Sequence, residues 1–216
     1  MRIASVALLT AGAVVLADVA LTLAWKEPLS SLYGSLRQGE KEDELDALSR
    51  SFADLAGTSR AELRRSARTL DRRLDASPGQ GEAVGRLEID ELEVDYVMVE
   101  GTDSASLKEG PGHYSGTALP GAGTTVAIAG HRTTYLAPFR RIDQLEGGDE
   151  IELSMPYADF TYSVRRARVV EPTQLGVIRR RESERLVLTT CHPVYSAAQR
   201  YVVFAELSRV RRPSPR

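Results

Sequence analysis

The chain has 216 residues, which is long enough for one domain of typical size with additional segments. Its 28 basic residues nearly balance its 30 acidic residues, which argues against a protein that grips nucleic acid through a general excess of positive charge. The chain contains a single cysteine, Cys191, which has no partner for an internal disulfide. Its thiol is therefore either a small core group or a nucleophile.

The first predicted element is an apolar run from Ile3 to Trp25 that contains one charged residue, Asp18. As a helix rising about 1.5 Å per residue, it would be roughly 35 Å long, enough to cross a hydrocarbon core of about 30 Å. Trp25 and Lys26 fall at the expected headgroup level. We predict an uncleaved transmembrane anchor over 1–26 with the rest of the chain outside the cytoplasm, and a cleaved signal peptide is the alternative.

Residues 27–82 are predicted to form a helical stalk followed by a linker. Apolar residues spaced three and four apart occupy 45–55, and the same rhythm returns in a shifted frame over 63–74. The helix should break near Gly57, and Ser59 is a candidate N-cap with Glu62 completing a capping box. We interpret the stalk as a solvated amphipathic spacer, and a coiled coil or packing on the domain are the alternatives.

From 83 to 210 the pattern changes to short apolar runs, several of which alternate with the period of half-buried strands. Gly, Pro and Asp separate these runs, and no long helical pattern follows residue 83. The composition therefore predicts a mainly β domain, either a barrel or a sandwich, with a disordered tail over 211–216. The predicted strands cover 87–89, 96–99, 125–129, 151–153, 160–164, 167–170, 186–188 and 201–205.

Cys191 ends one of these strands and is followed by His192 and Pro193. As a nucleophile toward an amide it would need an acid for the leaving amine and a donor for the oxyanion. His192 is a poor partner because neighbours on an extended chain point to opposite sides. His113 lies in a turn-rich loop, whereas His131 also ends a strand. His131 is thus the favoured partner, with a partly exposed loop histidine as the alternative.

A candidate cation follows from the geometry of a hairpin. The strand that ends at Cys191 and the strand that starts near Arg200 are separated by a short loop. If they pair antiparallel, the thiol and the guanidinium face each other at the mouth of the hairpin. A surface arginine is the alternative, and the cluster Arg179–Arg181 is interpreted as a solvated loop.

Three segments of the chain resemble the signature segments of sortases: 127–135 with its Gly-His-Arg-Thr-Thr-Tyr, 186–193 with its Thr-Cys-His-Pro, and 199–203 with its trailing arginine. The His-Arg-Thr-Thr-Tyr and Cys-His-Pro motifs, with Trp-Lys-Glu-Pro at 25–28, are most similar to class E sortases of high-GC Gram-positive bacteria. One departure is Val187, a β-branched residue at the place where the family motif usually starts with threonine. This exchange should preserve the strand.

The resemblance implies a closed eight-stranded sortase-type β-barrel over 83–210 that acts as a cysteine transpeptidase. Cys191 would attack the threonine carbonyl of a C-terminal sorting signal of the Leu-Pro-x-Thr-Gly or Leu-Ala-x-Thr-Gly type and form a thioacyl intermediate. His131 would protonate the departing glycine amine, and Arg200 would hold the substrate and the oxyanion. Thr190, Tyr135 and Tyr195 are the expected substrate-binding residues, with structural packing as the alternative for the two tyrosines.

The same resemblance implies partners and a location. The partners would be sorting signals of exported proteins, the amine of a peptidoglycan precursor, and membrane lipid around the N-terminal helix. The enzyme would be single-pass in the cell membrane with its domain outside the cytoplasm. No cofactor, nucleic acid or metal ligand set is expected. Two other functions are alternatives. One is an exported cysteine endopeptidase that uses the same residues with water as acceptor, and the other is a non-catalytic β-domain that binds wall polymer or peptide, with Cys191 as a packing residue.

Overall fold

The computed structural model describes residues 9–10, 12–14, 28–76 and 81–214. These residues include the α-helices α1 (Pro28–Phe52), α2 (Arg60–Ala76) and α3 (Ser106–Glu109). Most of the predicted anchor at 1–26 lies outside the described residues. Among the helices that are described, none combines the length and the apolar character needed to span a bilayer.

Eight strands close into a barrel in the order β1-β2-β3-β4-β7-β8-β6-β5. The pairs β2–β3 and β4–β7 are parallel, and the other pairs are antiparallel. The prediction of a mainly β domain with a closed eight-stranded barrel is therefore confirmed. The strands are β1 (Ala83–Ile89), β2 (Val94–Glu100), β3 (Gly112–His113), β4 (Thr125–Ala129), β5 (Glu150–Met155), β6 (Ala158–Val170), β7 (Arg185–His192) and β8 (Gln199–Arg211).

The structure departs from the predicted elements in three places. The two runs expected at 160–164 and 167–170 form one strand, β6, which continues through a register shift between Val164 and Arg166. The short β3 occupies a segment expected to be a loop. The prediction of a disordered tail from residue 211 is wrong for 211–214, because Arg211 still belongs to β8 and the amide and hydroxyl of Ser214 donate to Asp159.

Alternate residues of β7 serve two separate apolar clusters. Leu186 and Leu188 belong to the main core of the barrel. Val187 belongs to a smaller cluster with Phe204 of β8, and Val177 from the β6–β7 loop packs into the same cluster. Since side chains alternate along a strand, Cys191 shares its face with Val187 and not with the main core. The thiol therefore lies on the outer face of the barrel, beside a small apolar floor.

Helices α1 and α2 are part of the domain. The apolar faces predicted for the stalk are buried in the main core, including Leu45 of α1 and Leu70 of α2. The predicted capping box is also present, because the Ser59 amide donates to the Glu62 carboxylate at 3.0 Å and the Glu62 amide donates to Ser59 Oγ at 3.3 Å. The interpretation of this segment as a solvated spacer is therefore wrong. Both helices pack on the domain, which was the alternative.

Helix α1 runs from the loop after β4 toward the opposite end of the barrel. Near its start, the ring of Tyr33 lies edge-on to the ring of Tyr135, with centroids 6.4 Å apart. Its last residue, Phe52, packs against Tyr157 with ring centroids 6.2 Å apart. A helix of 25 residues spans about 37 Å, so α1 covers the whole height of the barrel.

Replacing Leu70 by alanine tests whether α2 is part of the folded domain. Leu70 is fully buried, so Leu70→Ala should lower the free energy of unfolding by about 2–5 kcal/mol through lost contacts and a cavity. The matched control is Arg65→Ala, an exposed position on the same helix, which should change it by less than about 0.5 kcal/mol. Equal effects in chemical denaturation would mean that α2 does not pack on the barrel.

Candidate active site

The thiol and one guanidinium face each other across the hairpin of β7 and β8. Cys191 is paired with Arg200 in the antiparallel register, which is the pairing that the hairpin argument predicted. Directly opposed residues of antiparallel strands project on the same side, with Cβ atoms about 4.5–5.5 Å apart. Arg200 therefore lies on the outer face of the barrel together with Cys191.

His131 is brought to the same end of the barrel by the parallel pairing of β4 with β7. The last registered pair is Ala129 with Thr189. The pairing extends one residue further, because the Gly130 amide donates to the Thr189 carbonyl at 3.1 Å and Thr190 Oγ1 donates to the Gly130 carbonyl at 2.7 Å. The next step of this register aligns His131 with Cys191. The three predicted residues thus converge at one rim.

The imidazole of His131 is partly buried beside an aromatic ring. Its ring centroid lies 5.3 Å from that of Tyr135, and its buried Nε2 has no hydrogen-bond partner among the described residues. Burial, reinforced by the positive charge of Lys108, lowers the pKa of His131 below its ordinary value. A lowered pKa favours the uncharged imidazole, which is the form that can accept a proton.

The guanidinium of Arg200 is oriented by the β7–β8 loop. Its Nη1 donates to the carbonyls of Ala197 and Gln199, each at 2.9 Å. Within the described residues Nε and Nη2 make no hydrogen bond. Since a guanidinium carries five N–H donors, three of them remain for a ligand.

The three predicted substrate-binding residues have different surroundings. Thr190 is 3% exposed, and its hydroxyl is used by the bond to Gly130, so its contacts indicate a role in positioning the residue before His131. Tyr135 lies against His131. Tyr195 is 71% exposed in the β7–β8 loop, where its hydroxyl accepts from Arg140 at 3.2 Å. Their predicted contact with substrate stays a prediction.

Sequence reasoning missed Arg132, which is 3% exposed directly behind the site. Its Nη1 donates to His192 Nδ1 at 2.9 Å and approaches the Cys191 carbonyl at 3.4 Å, and its Nη2 pairs with Asp143 at 2.8 Å. Arg132 therefore fixes the end of β7 from the side away from the thiol. The only signal for it was its place after His131, since nothing in the spacing distinguishes a buried arginine from an exposed one.

The other two histidines are occupied elsewhere. His192 is held by Arg132 and lies beside the ring of Tyr201, with centroids 5.9 Å apart, on the strand face opposite to that of Cys191. His113 is buried, and its Nδ1 lies 2.7 Å from the Glu100 carboxylate. Both arrangements agree with the sequence argument that selected His131.

Exposed apolar side chains stand on the two loops that flank β7. Leu175 lies in the β6–β7 loop, and Val194 and Tyr195 lie in the β7–β8 loop that follows Cys191. Exposed apolar groups of this kind are suited to contact with an extended peptide.

Comparison with known proteins identifies the family. Residues 87–208 match the family model described as the sortase domain. The chain belongs to the sortase family, a family of cysteine transpeptidases. Its barrel, with a thiol, a histidine and an arginine at one rim, agrees with that assignment.

Two curated relatives and one solved structure illustrate the similarity. Sortase D of Bacillus subtilis is 36% identical over 133 residues, which cover 60% of this chain and 66% of the relative. Sortase SrtE1 of Streptomyces coelicolor is 31% identical over 150 residues, which cover 62% of this chain and 42% of that protein. The chain thus spans less than two thirds of the length of either relative. The structure of sortase E1 from Streptomyces coelicolor with a tripeptide in the active site has a TM-score of 0.58 at 29% identity, over 61% of this chain and 91% of that chain.

Replacing Lys108 tests the electrostatic environment of His131. Removing its charge in Lys108→Ala should raise the pKa of His131, because an adjacent cation disfavours the imidazolium. Lys108→Arg keeps the charge and should leave the pKa of His131 where it is. The pKa can be followed by NMR titration of the histidine rings, with His113 and His192 as internal references. A pKa that falls or stays constant in Lys108→Ala would contradict the assignment.

Proposed function

We propose that the chain is a membrane-anchored sortase of the class E type that cleaves a sorting signal after threonine and transfers the protein to a cell-wall amine. The observation that carries this proposal is the pairing of Cys191 with Arg200 across β7 and β8, together with the β4–β7 pairing that ends two residues before His131 and Cys191. In this arrangement Cys191 would serve as the nucleophile, Arg200 as the oxyanion donor and His131 as the proton carrier.

The chemistry follows from these three groups. The lowered pKa of His131 favours its uncharged form, which would take the thiol proton as Cys191 Sγ attacks the threonine carbonyl carbon. The free N–H groups of Arg200 would stabilise the developing oxyanion. The C–N bond then breaks, and the proton on His131 passes to the departing glycine amine, which leaves a thioester on Cys191. An incoming amine attacks the thioester, gives its proton to His131, and releases the thiolate with a new amide bond.

The substrate is proposed to be an extended peptide of the Leu-Pro-x-Thr-Gly or Leu-Ala-x-Thr-Gly type. Support comes from the exposed apolar side chains on the loops that flank β7 and from the Streptomyces coelicolor sortase E1 structure, whose active site holds a tripeptide. Tyr135 and Tyr195 stand on the two loops that flank the thiol, so they are proposed to contact the residue before the variable position. The two curated relatives belong to classes D and E, so the assignment to class E rests on the local motifs.

The membrane location is proposed from the sequence. The apolar run from Ile3 to Trp25 precedes α1 directly, and α1 begins at the end of the barrel that carries the thiol. An anchor there would hold the active site close to the outer surface of the membrane. Exported proteins that are themselves still tethered to the membrane would then reach the thiol readily.

Cys191→Ala tests the nucleophile and the reaction class together. The full chain in nonionic detergent is incubated with a panel of sorting-signal peptides, with and without an amine, and the products are identified by mass spectrometry. The unchanged chain should yield a product cut after threonine and, with the amine, the corresponding amide. Cys191→Ala should abolish both products while unfolding at nearly the same temperature, since only the sulfur is lost.

Two results of that experiment would overturn the proposal. Cleavage with no amide product at saturating amine would mean that water is the acceptor, as in a cysteine endopeptidase. No cleavage of any peptide, together with a Cys191 thiol that resists a mild electrophile at neutral pH, would favour a non-catalytic binding domain.

Arg200→Lys tests the planar donor group. An ammonium cannot reproduce the fork of N–H groups, so kcat for peptide cleavage should fall by roughly 10²-fold or more. Arg209→Lys is the matched control, because Arg209 lies on the same strand and its surface ion pair with Glu150 tolerates either cation. A rate within twofold of the unchanged chain for Arg200→Lys would remove Arg200 from the reaction.

A further inference from the structure

A groove rich in arginine lies at the other end of the barrel from the thiol. Helix α2 contributes Arg64 and Arg68, one turn apart, and the loop before β7 contributes Arg180 and Arg181. The groove is open and has a volume of about 1050 Å³. All four guanidinium side chains are exposed. The segment that the sequence indicated as a solvated loop thus forms one wall of a concave basic surface.

The positive charge of this groove is not neutralised by neighbouring acids. Its four arginines form no ion pair with any described residue. Glu184, which stands next to the groove in sequence, is turned inward, where its carboxylate accepts from the amides of Gly121 and Gly123 and from the Tyr162 hydroxyl. Glu182 is the one acidic residue among the described residues that line the groove. Four positive side chains and one negative side chain therefore line the groove, a net charge of +3.

Positive charge also extends from the groove along the outer face of the barrel. Arg166, Arg168 and Arg185 surround the ring of Phe204, with guanidinium carbons 5.1, 5.4 and 5.5 Å from its centroid. Burial, together with the positive charges of Arg181, Arg166 and Arg168, lowers the pKa of Arg185. The groove thus continues into a strip of positive charges. The repulsion among these charges is electrostatically unfavourable unless an anion binds to them.

The loop at Gly123 forms one wall of the groove and accommodates the guanidinium of Arg64. Gly123 has φ of 83°, and a Cβ atom there would lie only 3.1 Å from Arg64 Nη2. The absence of a side chain at Gly123 therefore lets Arg64 lie flat against the loop. Thr124 Oγ1 accepts from the Arg181 amide at 3.2 Å, which ties the opposite wall to the same loop.

We propose that this groove binds a linear phosphodiester polymer that lacks bases. Repeated phosphates suit paired guanidinium groups spaced along a helix and a loop. The described residues that line the groove include no aromatic side chain on which a base could stack, which disfavours single-stranded nucleic acid. A lipid surface is disfavoured because the predicted anchor joins α1 at the thiol end, whereas the groove lies at the start of β7. Arg185 and Cys191 are six residues apart on that strand, roughly 20 Å.

This interaction would attach the enzyme to an anionic polymer outside the membrane while the thiol faces the membrane. The site is separate from the acyl-transfer chemistry and does not rest on the assignment of the nucleophile, but the choice of a polymer over a lipid surface rests on the proposed membrane location. It also predicts that polymer binding and peptide turnover are independent in short-peptide assays.

The test measures binding of synthetic poly(glycerol phosphate) to the full chain in nonionic detergent at several salt concentrations. The double variant Arg180→Gln with Arg181→Gln should weaken binding on the order of tenfold at about 0.1 M salt, and should reduce the slope of log K against log salt by about 0.7–0.9 per arginine. The control, Arg209→Gln with Arg211→Gln, removes the same charge from surface ion pairs with Glu150 and Glu152 and should retain binding and slope.

Three further measurements complete the design. Peptide turnover in the Arg180/Arg181 variant should match that of the unchanged chain, which shows that the barrel is intact. An oligonucleotide of equal charge and vesicles of phosphatidylglycerol serve as competitors, and tighter binding of either would overturn the choice of polymer. Equal loss in both double variants, or an unchanged slope in the groove variant, would overturn the groove as the binding site.

Discussion

The register of β7 with its two neighbours is the constraint on which the site depends. The parallel pairing with β4 aligns His131, and the antiparallel pairing with β8 aligns Arg200. A slip of one residue would move Cys191 to the face of the main core, because side chains alternate along a strand. Packing on both faces of β7 fixes the register, because Leu186 and Leu188 are buried in the main core and Val187 is buried in the outer cluster.

Hydrogen bonds near the end of β7 hold this register where the ladder itself stops. Thr190 donates to the Gly130 carbonyl, and the hydroxyl of Thr189 lies 2.9 Å from that of Tyr114. Arg132 holds the following residues from the inner side through His192. The strand end is thus fixed at Thr189, Thr190 and His192, on both sides of Cys191, which is what a nucleophile needs if its attack distance is to be constant.

The sequence allowed prediction of the site better than of the elements around it. The common position of Cys191, His131 and Arg200 at one end of the barrel could be predicted because strand ends and hairpins have simple geometry, and the resemblance to sortases selected these three residues. Their catalytic roles stay predictions. The two-residue strand β3 was missed since it has no period to detect, and it is defined only by its neighbours β2 and β4. The buried roles of Arg132 and Thr190 were also missed, because burial of a polar group depends on partners from distant segments such as Asp143 and Gly130.

The local pattern indicated an apolar face on α1 but did not show what covers it, and the packing of α1 on the barrel changes the extent of the catalytic unit. Tyr135, Leu136 and Ala137 all have positive φ, at 45°, 65° and 44°, which costs about 1–3 kcal/mol for each such residue. This loop persists because α1 supports it. Gly34 leaves space for Leu136, since a Cβ atom on Gly34 would lie only 2.6 Å from Leu136 Cγ. Tyr33 packs on Tyr135. Tyr135 in turn packs on His131. The family match begins at residue 87, but the position of the imidazole is set in part by a helix that begins at residue 28.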